Sequence, residues 1–457
     1  MLKINDIIEI DIEDVAFSNK GYGFYEGAKV IVKNSLPGQR LLARINKKKK
    51  GAFEAVLVST IKRAPFEIEP LCPHFGMCGG CTYQNYEHEA ELRLKGRQIL
   101  KLLNDNGVSG FEFLGITPSP FTEGYRNKCE FSFGDEEKGG RLALGMRKRN
   151  SFYEVVTLTG CNIVDKDYIK IVNFTRDFFE EKGLNFYNRI RKEGTLRNLV
   201  VRKAQKTGEI LVNIVTSCAI SQEIYEYAGL LSKLHLEGVI CGILHTENSS
   251  VADVVKSDHT TVLYGRDYFY ESILGLNFKI SAFSFFQTNS KGAEELYSIV
   301  KEFAGDAKDK NIFDLYCGTG TIAQILAKEC KSVLGIEIDE EAVLAAKENA
   351  MGNGITNCTF IAGDVLKEVD GLSINPDIII LDPPREGIHP KAIGKIIDFG
   401  APKIIYVSCK PSSLARDLKI FEQNGYKVKK IKGMDMFPRT AHVETVILMT
   451  RCGQNDK

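Results

Sequence analysis

The chain has 457 residues, of which 44% are hydrophobic and 26% are charged, and its formal net charge is +1. This length predicts roughly two to four domains of about 100–200 residues, and the composition is typical of a globular protein. The balanced charge excludes binding of nucleic acid through an overall basic field, so local patches would have to hold it. Basic runs at 47–50 and 147–149 are candidates, although each alone is typical of a solvated loop.

The N-terminal segment does not look like a secretory signal, because it contains several acids and no unbroken apolar stretch. No apolar run approaches the ~18 residues that span a bilayer. We therefore expect a cytoplasmic protein without membrane contact, and the sequence indicates no obligate protein partner. Its twelve cysteines are then expected to be thiols, metal ligands or catalysts rather than disulfides.

The alternation of apolar residues predicts three domains in chain order. Residues 1–61 contain short alternating strands and glycine or proline turns, which predict a small β-barrel. Residues 62–275 predict an α+β domain with a helix from Tyr86 to Asn104 and another near 221–234. In residues 276–457, apolar strands alternate with helices, which predicts a doubly wound, Rossmann-like α/β domain.

The last domain contains a candidate nucleotide-type site. Its glycine-rich segment DLYCGTG, from Asp314 to Gly320, follows a strand and opens a helix, and Glu337, Asp364 and Asp382 end the following strands. Acids at successive strand ends favour S-adenosylmethionine over a dinucleotide, because S-adenosylmethionine has no pyrophosphate for the helix N-terminus to bind. The alternative is that each acid caps the helix that follows it.

A cysteine cluster opens the middle domain. Cys72, Cys78 and Cys81 have C-x5-C-x2-C spacing, which favours an iron–sulfur centre over zinc, since zinc sites more often show two C-x-x-C pairs. The fourth ligand would be Cys129 or Cys161, and the position of Cys161 at the end of a strand-like run favours it. A radical enzyme usually has a C-x3-C-x2-C loop, so the spacing favours a closed, structural cluster.

Cys409 and Glu444 are candidate catalytic residues. Cys409 ends an apolar strand of the predicted donor-binding sheet, and Glu444 begins the last strand. Methylation of uracil carbon 5 requires a thiol that adds to carbon 6 and a base that removes the carbon 5 proton. Alone, Cys409 is more typical of a small hydrophobe, and His442 is more typical of a structural or solvated residue.

Together these features resemble the RNA uracil-5-methyltransferase family, whose 23S ribosomal RNA branch has a TRAM domain and a 4Fe–4S cluster. The resemblance implies a TRAM barrel at 1–61 and packing of helix 87–108 with the catalytic domain. It implies that the cysteine of SCKP, Cys409, is the nucleophile and that the glutamate of HVET, Glu444, removes the proton. It further implies that four cysteines hold the cluster, namely Cys72, Cys78, Cys81 and Cys161. The residues that it implies for donor binding are Gln287, Tyr316, Gly318, Glu337 and Asp382.

The resemblance further implies methylation of uridine in 23S ribosomal RNA, as a stem-loop or precursor form. Arg126, Arg385 and Arg439 could contact RNA or form structural ion pairs. Lys410 departs from the asparagine that the family usually has, so the charge beside the nucleophile differs. Three alternatives stay open: a tRNA-directed member of the family, a radical methylating enzyme, and a non-enzymatic RNA-binding or redox-sensing protein.

Overall fold

The computed structural model describes residues 2–219, 222–250, 258–368, 372 and 374–453. In this part of the chain the strands form sheets of six, seven and eight strands and a two-stranded hairpin. No helix within the same residues is both long and apolar enough to cross a membrane.

The six-stranded sheet occupies the segment predicted as a barrel. Its strands are β1 (Ile7–Asp11), β2 (Asp14–Ala16), β3 (Lys20–Tyr25), β4 (Ala28–Lys33), β5 (Arg40–Lys49) and β6 (Ala52–Lys62), in the spatial order β1-β5-β6-β4-β3-β2. Side chains of β1 alternate between exposed and buried, as in a strand with one face on a core. Ala90 and Leu94 of the first helix, α1 (His88–Asp105), complete that core.

The middle of the chain forms the seven-stranded sheet, covered by helices α2 (Lys166–Glu181) and α3 (Gln222–Leu231). Strand β7 (Glu112–Thr117) precedes this sheet in the chain and belongs to another one. Position 221 of the helix predicted near 221–234 lies outside the described residues. The seven strands are β8 (Lys128–Gly134), β9 (Ala143–Arg147), β10 (Val155–Thr157), β11 (Leu196–Lys203), β12 (Glu209–Thr216), β13 (Val239–Glu247) and β14 (His259–Gly265), in the order β10-β9-β8-β11-β12-β13-β14.

The hairpin of β15 (Tyr268–Ile273) and β16 (Leu276–Ser281) leads into the eight-stranded sheet. The elements that follow are α4 (Ser290–Ala304), β17 (Asn311–Leu315), α5 (Thr321–Ala327), β18 (Ser332–Glu337), α6 (Glu340–Gly352), β19 (Cys358–Ala362), α7 (Val365–Glu368), β20 (Ile378–Leu381), α8 (Pro390–Asp398), β21 (Lys403–Ser408), α9 (Pro411–Gln423), β22 (Tyr426–Met434) and β23 (Glu444–Arg451).

The spatial order of this sheet is β19-β18-β17-β20-β21-β23-β22-β7. Strand β23 is antiparallel to both of its neighbours, while the other pairings are parallel. The carboxyl ends of the parallel strands therefore share one edge with the beginning of β23. We call this the carboxyl edge.

A segment from the first third of the chain completes the sheet. Strand β7 pairs in parallel with β22, and α1 packs against both β7 and α9. Ile99 and Leu103 of α1 are fully buried in the core beneath the sheet. The predicted boundary between residues 62–275 and 276–457 therefore does not separate two structural units, because both segments contribute strands to the eight-stranded sheet.

Candidate active site

The loop after β17 brings backbone amides to the carboxyl edge. Tyr316, Gly318 and Gly320 all have left-handed backbone conformations, with φ values of 69°, 53° and 71°. A Cβ atom at Gly320 would lie 2.7 Å from the ring of Phe360, so a side chain there would displace the core. A Cβ atom at Gly318 would have no atom within 4 Å, so Gly318 borders open space at this edge.

Glu337, at the end of β18, is fixed by three backbone amides. Its Oε2 accepts a hydrogen bond of 3.0 Å from the amide of Gly318, and its Oε1 accepts bonds of 2.7 and 3.1 Å from the amides of Ile338 and Asp339. A carboxylate has about four acceptor positions. The glutamate therefore keeps acceptor capacity for a hydroxyl group of a ligand.

The next two predicted acids have different surroundings. Asp364 accepts a hydrogen bond of 3.0 Å from the amide of Leu366 at the start of the short helix α7, which is the capping role considered from the sequence. Asp382 follows β20, and burial raises its pKa to about 7. Asp382 is thus less hydrated than a carboxyl group in water, at a position on the carboxyl edge.

Strand register brings Cys409 and Glu444 together. Ser408 of β21 is paired with Thr445 of β23, so the following residue, Cys409, lies opposite Glu444. Glu444 is buried and also pairs with Met434 of β22. The structure therefore places both predicted catalytic residues side by side at the carboxyl edge.

Burial and nearby carboxylates raise the pKa values of both members of this pair. Burial raises the pKa of the Cys409 thiol to about 11, and the charges of Glu444 and Asp382 act in the same direction. Burial, together with the charge of Asp382, raises the pKa of Glu444 to about 8. The guanidinium of Arg385 opposes both shifts. A cationic ligand at this edge would favour ionisation in the same way.

Asp314 precedes Gly318 by four residues in the pattern that favours S-adenosylmethionine, but it is not among the predicted donor-binding residues. Both of its carboxyl oxygens are buried without a hydrogen-bond partner. Burial raises its pKa well above the usual range, with a further contribution from the charge of Asp382. A buried carboxyl without a partner is costly, so it is a candidate to accept a hydrogen bond from a ligand. Its position before the glycines is a sequence signal for this role, whereas its burial without a partner has no sequence signal.

Gln287 precedes α4 and connects the two larger sheets. Its carbonyl accepts a hydrogen bond of 2.9 Å from Asn127, which lies just before β8. The same amide group of Asn127 donates to Ser290 at 2.7 Å, and Ser290 donates to the buried Glu271 at 2.6 Å. The half-buried Gln287 is thus fixed through its backbone, which leaves its side-chain amide outside these bonds.

The predicted cluster cysteines lie in loops of the middle domain. Burial, with further contributions from the charges of Cys161, Cys78 and Cys72, raises the pKa of Cys81 to about 12. The sulfur of Cys78 accepts a hydrogen bond of 3.3 Å from the amide of Gly80. Among the described residues, however, no three histidine, cysteine, aspartate or glutamate side chains are grouped as ligands of one metal ion.

The β22–β23 connection joins the cysteine loop to the carboxyl edge. The carbonyl of Arg439 accepts hydrogen bonds of 2.7 and 2.9 Å from the amides of Thr82 and Tyr83, which directly follow Cys81. Within the described chain, Arg439 has one of the few left-handed non-glycine conformations, with φ of 67°. The segment fixed in this way leads directly to Glu444.

A buried ionic network holds the other side of this connection. The ammonium of Lys95 donates to Glu91 at 2.7 Å and to Asp435 at 2.6 Å, and all three side chains are fully buried. His88 contacts the second oxygen of Asp435 at 2.8 Å, and Glu91 accepts a bond of 2.9 Å from the amide of Arg439. No sequence pattern indicates this network, since hydrogen-bonded partners within it are up to 348 positions apart.

The remaining candidates have separate environments. Arg126 lies over the ring of Phe437 at 5.6 Å, and Arg439 donates to the carbonyl of Tyr86 at 2.7 Å, so both have structural contacts. Lys410 is exposed at the start of α9, where its amide donates to Ser408 at 3.2 Å. Its side chain does not cap the helix.

Comparison with known proteins identifies the family. A family model described as tRNA (Uracil-5-)-methyltransferase matches residues 243–452. An uncharacterized RNA methyltransferase of Clostridium tetani is 50% identical over 443 residues, which cover 97% of this chain and 97% of the relative. The chain belongs to the RNA uracil-5-methyltransferase family. This confirms the family-level prediction. An uncharacterized RNA methyltransferase of Halalkalibacterium halodurans is 33% identical over 455 residues, a match that covers 97% of each chain.

A solved structure agrees with this membership of the RNA uracil-5-methyltransferase family. The tRNA (uracil-54, C5)-methyltransferase of Pyrococcus abyssi, in complex with S-adenosyl-L-homocysteine, has a TM-score of 0.77 and 26% sequence identity. The match covers 97% of this chain and 100% of that one. The overall structure is therefore that of a multidomain α/β methyltransferase.

Proposed function

We propose that the protein transfers a methyl group from S-adenosylmethionine to carbon 5 of uridine in RNA. The observation that carries the proposal is the strand register that places Cys409 opposite Glu444 at the carboxyl edge, where the charge of the half-buried Asp382 acts on both. A nucleophile and a base are both needed for this carbon, whereas methylation of oxygen or nitrogen requires no cysteine.

The reaction balances with these two side chains. The Cys409 thiol releases its proton to water, and its sulfur forms a bond to uracil carbon 6 while the electron pair of the double bond between carbons 5 and 6 moves so that carbon 5 becomes nucleophilic. Carbon 5 then takes the methyl group, and the bond between methyl and sulfonium breaks to leave S-adenosylhomocysteine. Glu444 removes the carbon 5 proton, the ring double bond forms again, and the Cys409 sulfur leaves.

The donor would be held by the residues of the carboxyl edge. Glu337 has remaining acceptor capacity for a ribose hydroxyl, and the loop at Tyr316 and Gly318 lets the backbone approach the ligand. Asp314 supplies two unpartnered carboxyl oxygens, and Gln287 a side-chain amide. Asp364 follows β19 and Asp382 follows β20, two strands that end at the same edge, and we propose that both residues complete the donor site.

A covalent adduct with 5-fluorouridine RNA tests the mechanism. Fluorine cannot leave as a cation, so the adduct between protein and RNA should accumulate and survive denaturing electrophoresis. Cys409→Ala should abolish it, while the exposed Cys218 can be replaced by alanine as a matched control. A Cys409→Ala protein that still methylates RNA would rule out the covalent mechanism.

The RNA substrate we propose is 23S ribosomal RNA, held by a TRAM domain at residues 1–61 and by the middle domain, residues 62–275. The resemblance to the branch with the cysteine cluster supports it. The second candidate is transfer RNA, favoured by the activity named for the Pyrococcus abyssi structure. Methylation of purified ribosomal and transfer RNA in separate reactions, followed by mapping of 5-methyluridine, distinguishes the two.

We also propose that Cys72, Cys78, Cys81 and Cys161 hold a 4Fe–4S cluster. The charges of Cys72, Cys78 and Cys161 all act on Cys81, so the four thiols lie in one region, although the described side chains are not grouped as ligands of a single metal ion. The cluster would join the loops that carry these cysteines, without taking part in methyl transfer. Iron and sulfide analysis tests this: Cys161→Ser should lose the cluster, and Cys129→Ser should keep it. Loss of the cluster in Cys129→Ser and its retention in Cys161→Ser would make Cys129 the fourth ligand instead of Cys161.

A further inference from the structure

A large cavity lies in the middle domain, away from the carboxyl edge. It has a volume of about 840 Å³ and is bordered by the end of β8, the β9–β10 connection and the segment leading into β11. We call it the aromatic pocket, after Phe152 and Tyr153 on its rim. The methyl-transfer chemistry uses none of its residues.

Its rim exposes large aromatic side chains. Phe152 is 83% exposed and Tyr153 is 63% exposed. Aromatic rings offered to solvent beside a cavity are typical of a binding surface. Because each ring has an accessible face, a flat ligand can stack on it.

The charge of the pocket differs from that of the chain. Five of its lining residues are basic and two are acidic, an excess of three positive charges, whereas the whole chain carries +1. The five basic residues are Lys138, Arg147, Arg189, Arg191 and Arg197. This excess fits a ligand with negative charge, such as the phosphate groups of a nucleic acid.

The structure holds part of this cationic lining in place. The guanidinium of Arg197 lies 4.8 Å from the ring centre of Tyr187 and donates bonds of 2.6 Å to the carbonyls of Asn248 and Ser250. Arg147 donates to the carbonyl of Phe152, which anchors the segment with the exposed rings. The pocket therefore has a fixed cationic wall and a supported aromatic rim.

We propose that the aromatic pocket binds an unstacked nucleotide of the RNA substrate, separate from the reacting uridine. Stacking on exposed rings beside arginines is how proteins recognise single-stranded RNA. Asn127 contacts Gln287, a residue of the predicted donor site, and Phe133 lines the pocket. These two residues are six positions apart along the extended chain that forms β8, so about 20 Å separates the donor-site end of the strand from the pocket. The bound nucleotide would thus lie several positions along the strand from the uridine. This inference rests on the proposed activity on RNA.

Equilibrium binding of labelled RNA tests the pocket. A protein with Phe152→Ala and Tyr153→Ala should bind a single-stranded oligonucleotide about tenfold more weakly, because base stacking is lost. Its affinity for a fully paired duplex should change less than twofold. Tyr225→Ala, at an equally exposed tyrosine on α3, is the matched control and should leave both affinities unchanged.

Salt dependence checks the charged wall separately. Arg191→Gln should lower the slope of log affinity against log salt for the single strand by about 0.7, the value for one phosphate contact. Unchanged single-strand affinity in the double variant would overturn the proposal, as would an equal loss of duplex binding. If the double variant no longer bound a protein partner but kept its affinity for RNA, the pocket would be a protein-binding site, and the proposal would be overturned as well.

Methylation assays keep this inference distinct from the proposed function. The double variant should retain its affinity for S-adenosylhomocysteine and form the 5-fluorouridine adduct at saturating RNA. A wild-type protein that methylates no RNA would contradict the proposed function, while weaker single-strand binding by the double variant would still support the pocket as an RNA site.

Discussion

The carboxyl edge and the cysteine loop hold their reactive groups in different ways. At the edge, Glu337, Asp382, Cys409 and Glu444 each end, follow or begin a strand, so hydrogen-bonded register sets their spacing. The cysteine loop, residues 72–81, lies outside the long strands and helices and is held by turns. A pre-formed edge needs no ligand to position its groups, whereas a loop gains order from the group that its thiols bind.

The two regions nevertheless share one support. The β22–β23 connection accepts hydrogen bonds from Thr82 and Tyr83 on one side and leads to Glu444 on the other. The buried network around Lys95 fixes this connection to α1. The comparison therefore predicts that damage to the edge affects chemistry, damage to the network affects stability, and damage to the loop leaves the donor site intact.

The largest effect is expected at the carboxyl edge. Glu444→Gln should lower kcat by about 10²–10⁴-fold, because the amide cannot accept the carbon 5 proton. The covalent adduct between Cys409 and unmodified RNA should then accumulate, since its resolution needs that proton to leave. Quenched-flow kinetics and denaturing electrophoresis measure both. Full activity in this variant would show that another group is the base.

Loss of the shared support should have the next largest effect. Lys95→Met leaves the buried Glu91 and Asp435 without their cation, so the free energy of unfolding should fall by about 3–5 kcal/mol. Denaturant unfolding measures it. Lys101→Met on the same helix is the control, since its pair with Asp105 is half-exposed and contributes less than about 1 kcal/mol. Equal losses in the two variants would contradict the role of the network.

The acid–base state of the edge predicts a smaller, pH-dependent effect. Glu444, with a pKa of about 8, is protonated at lower pH and cannot act as a base. The value of kcat/KM should therefore rise at least about tenfold per pH unit from pH 6 towards 8, because it reports the ionisation of Glu444 and of the Cys409 thiol in the free protein. Arg385→Gln should move the profile to higher pH, since this guanidinium lowers the pKa values of Glu444 and Cys409. A rate that falls over this range would exclude Glu444 as the base.

The smallest effect sharpens the contrast between the two regions. Cys161→Ser should leave the affinity for S-adenosylhomocysteine within about twofold of wild type, because strand register holds the donor site. Calorimetric titration measures this affinity. A large loss would show that the cysteine loop supports the carboxyl edge through the β22–β23 connection.

The sequence predicted which residues lie at the carboxyl edge better than it predicted which of them are neighbours in space. Alternating apolar strands and helices predicted the elements that position Gly318, Glu337 and Cys409, since local periodicity sets them. The insertion of β23 between β21 and β22, which brings Glu444 to Cys409, depends on long-range pairing and has no local signal. The same holds for the buried Asp314 and for the Lys95 network, whose members acquire their roles only through burial.

The pairing of β7 with β22 has a consequence for synthesis of the chain. Residues 112–117 leave the ribosome about three hundred positions before their partner strand, so the nascent polypeptide must keep them available until residues 426–434 emerge. A truncated polypeptide of residues 276–457 would lack this strand and expose the backbone edge of β22 from Lys430 to Met434. Such a fragment is expected to self-associate through this exposed edge. Adding residues 88–117 as a separate peptide should cover the edge and prevent the association.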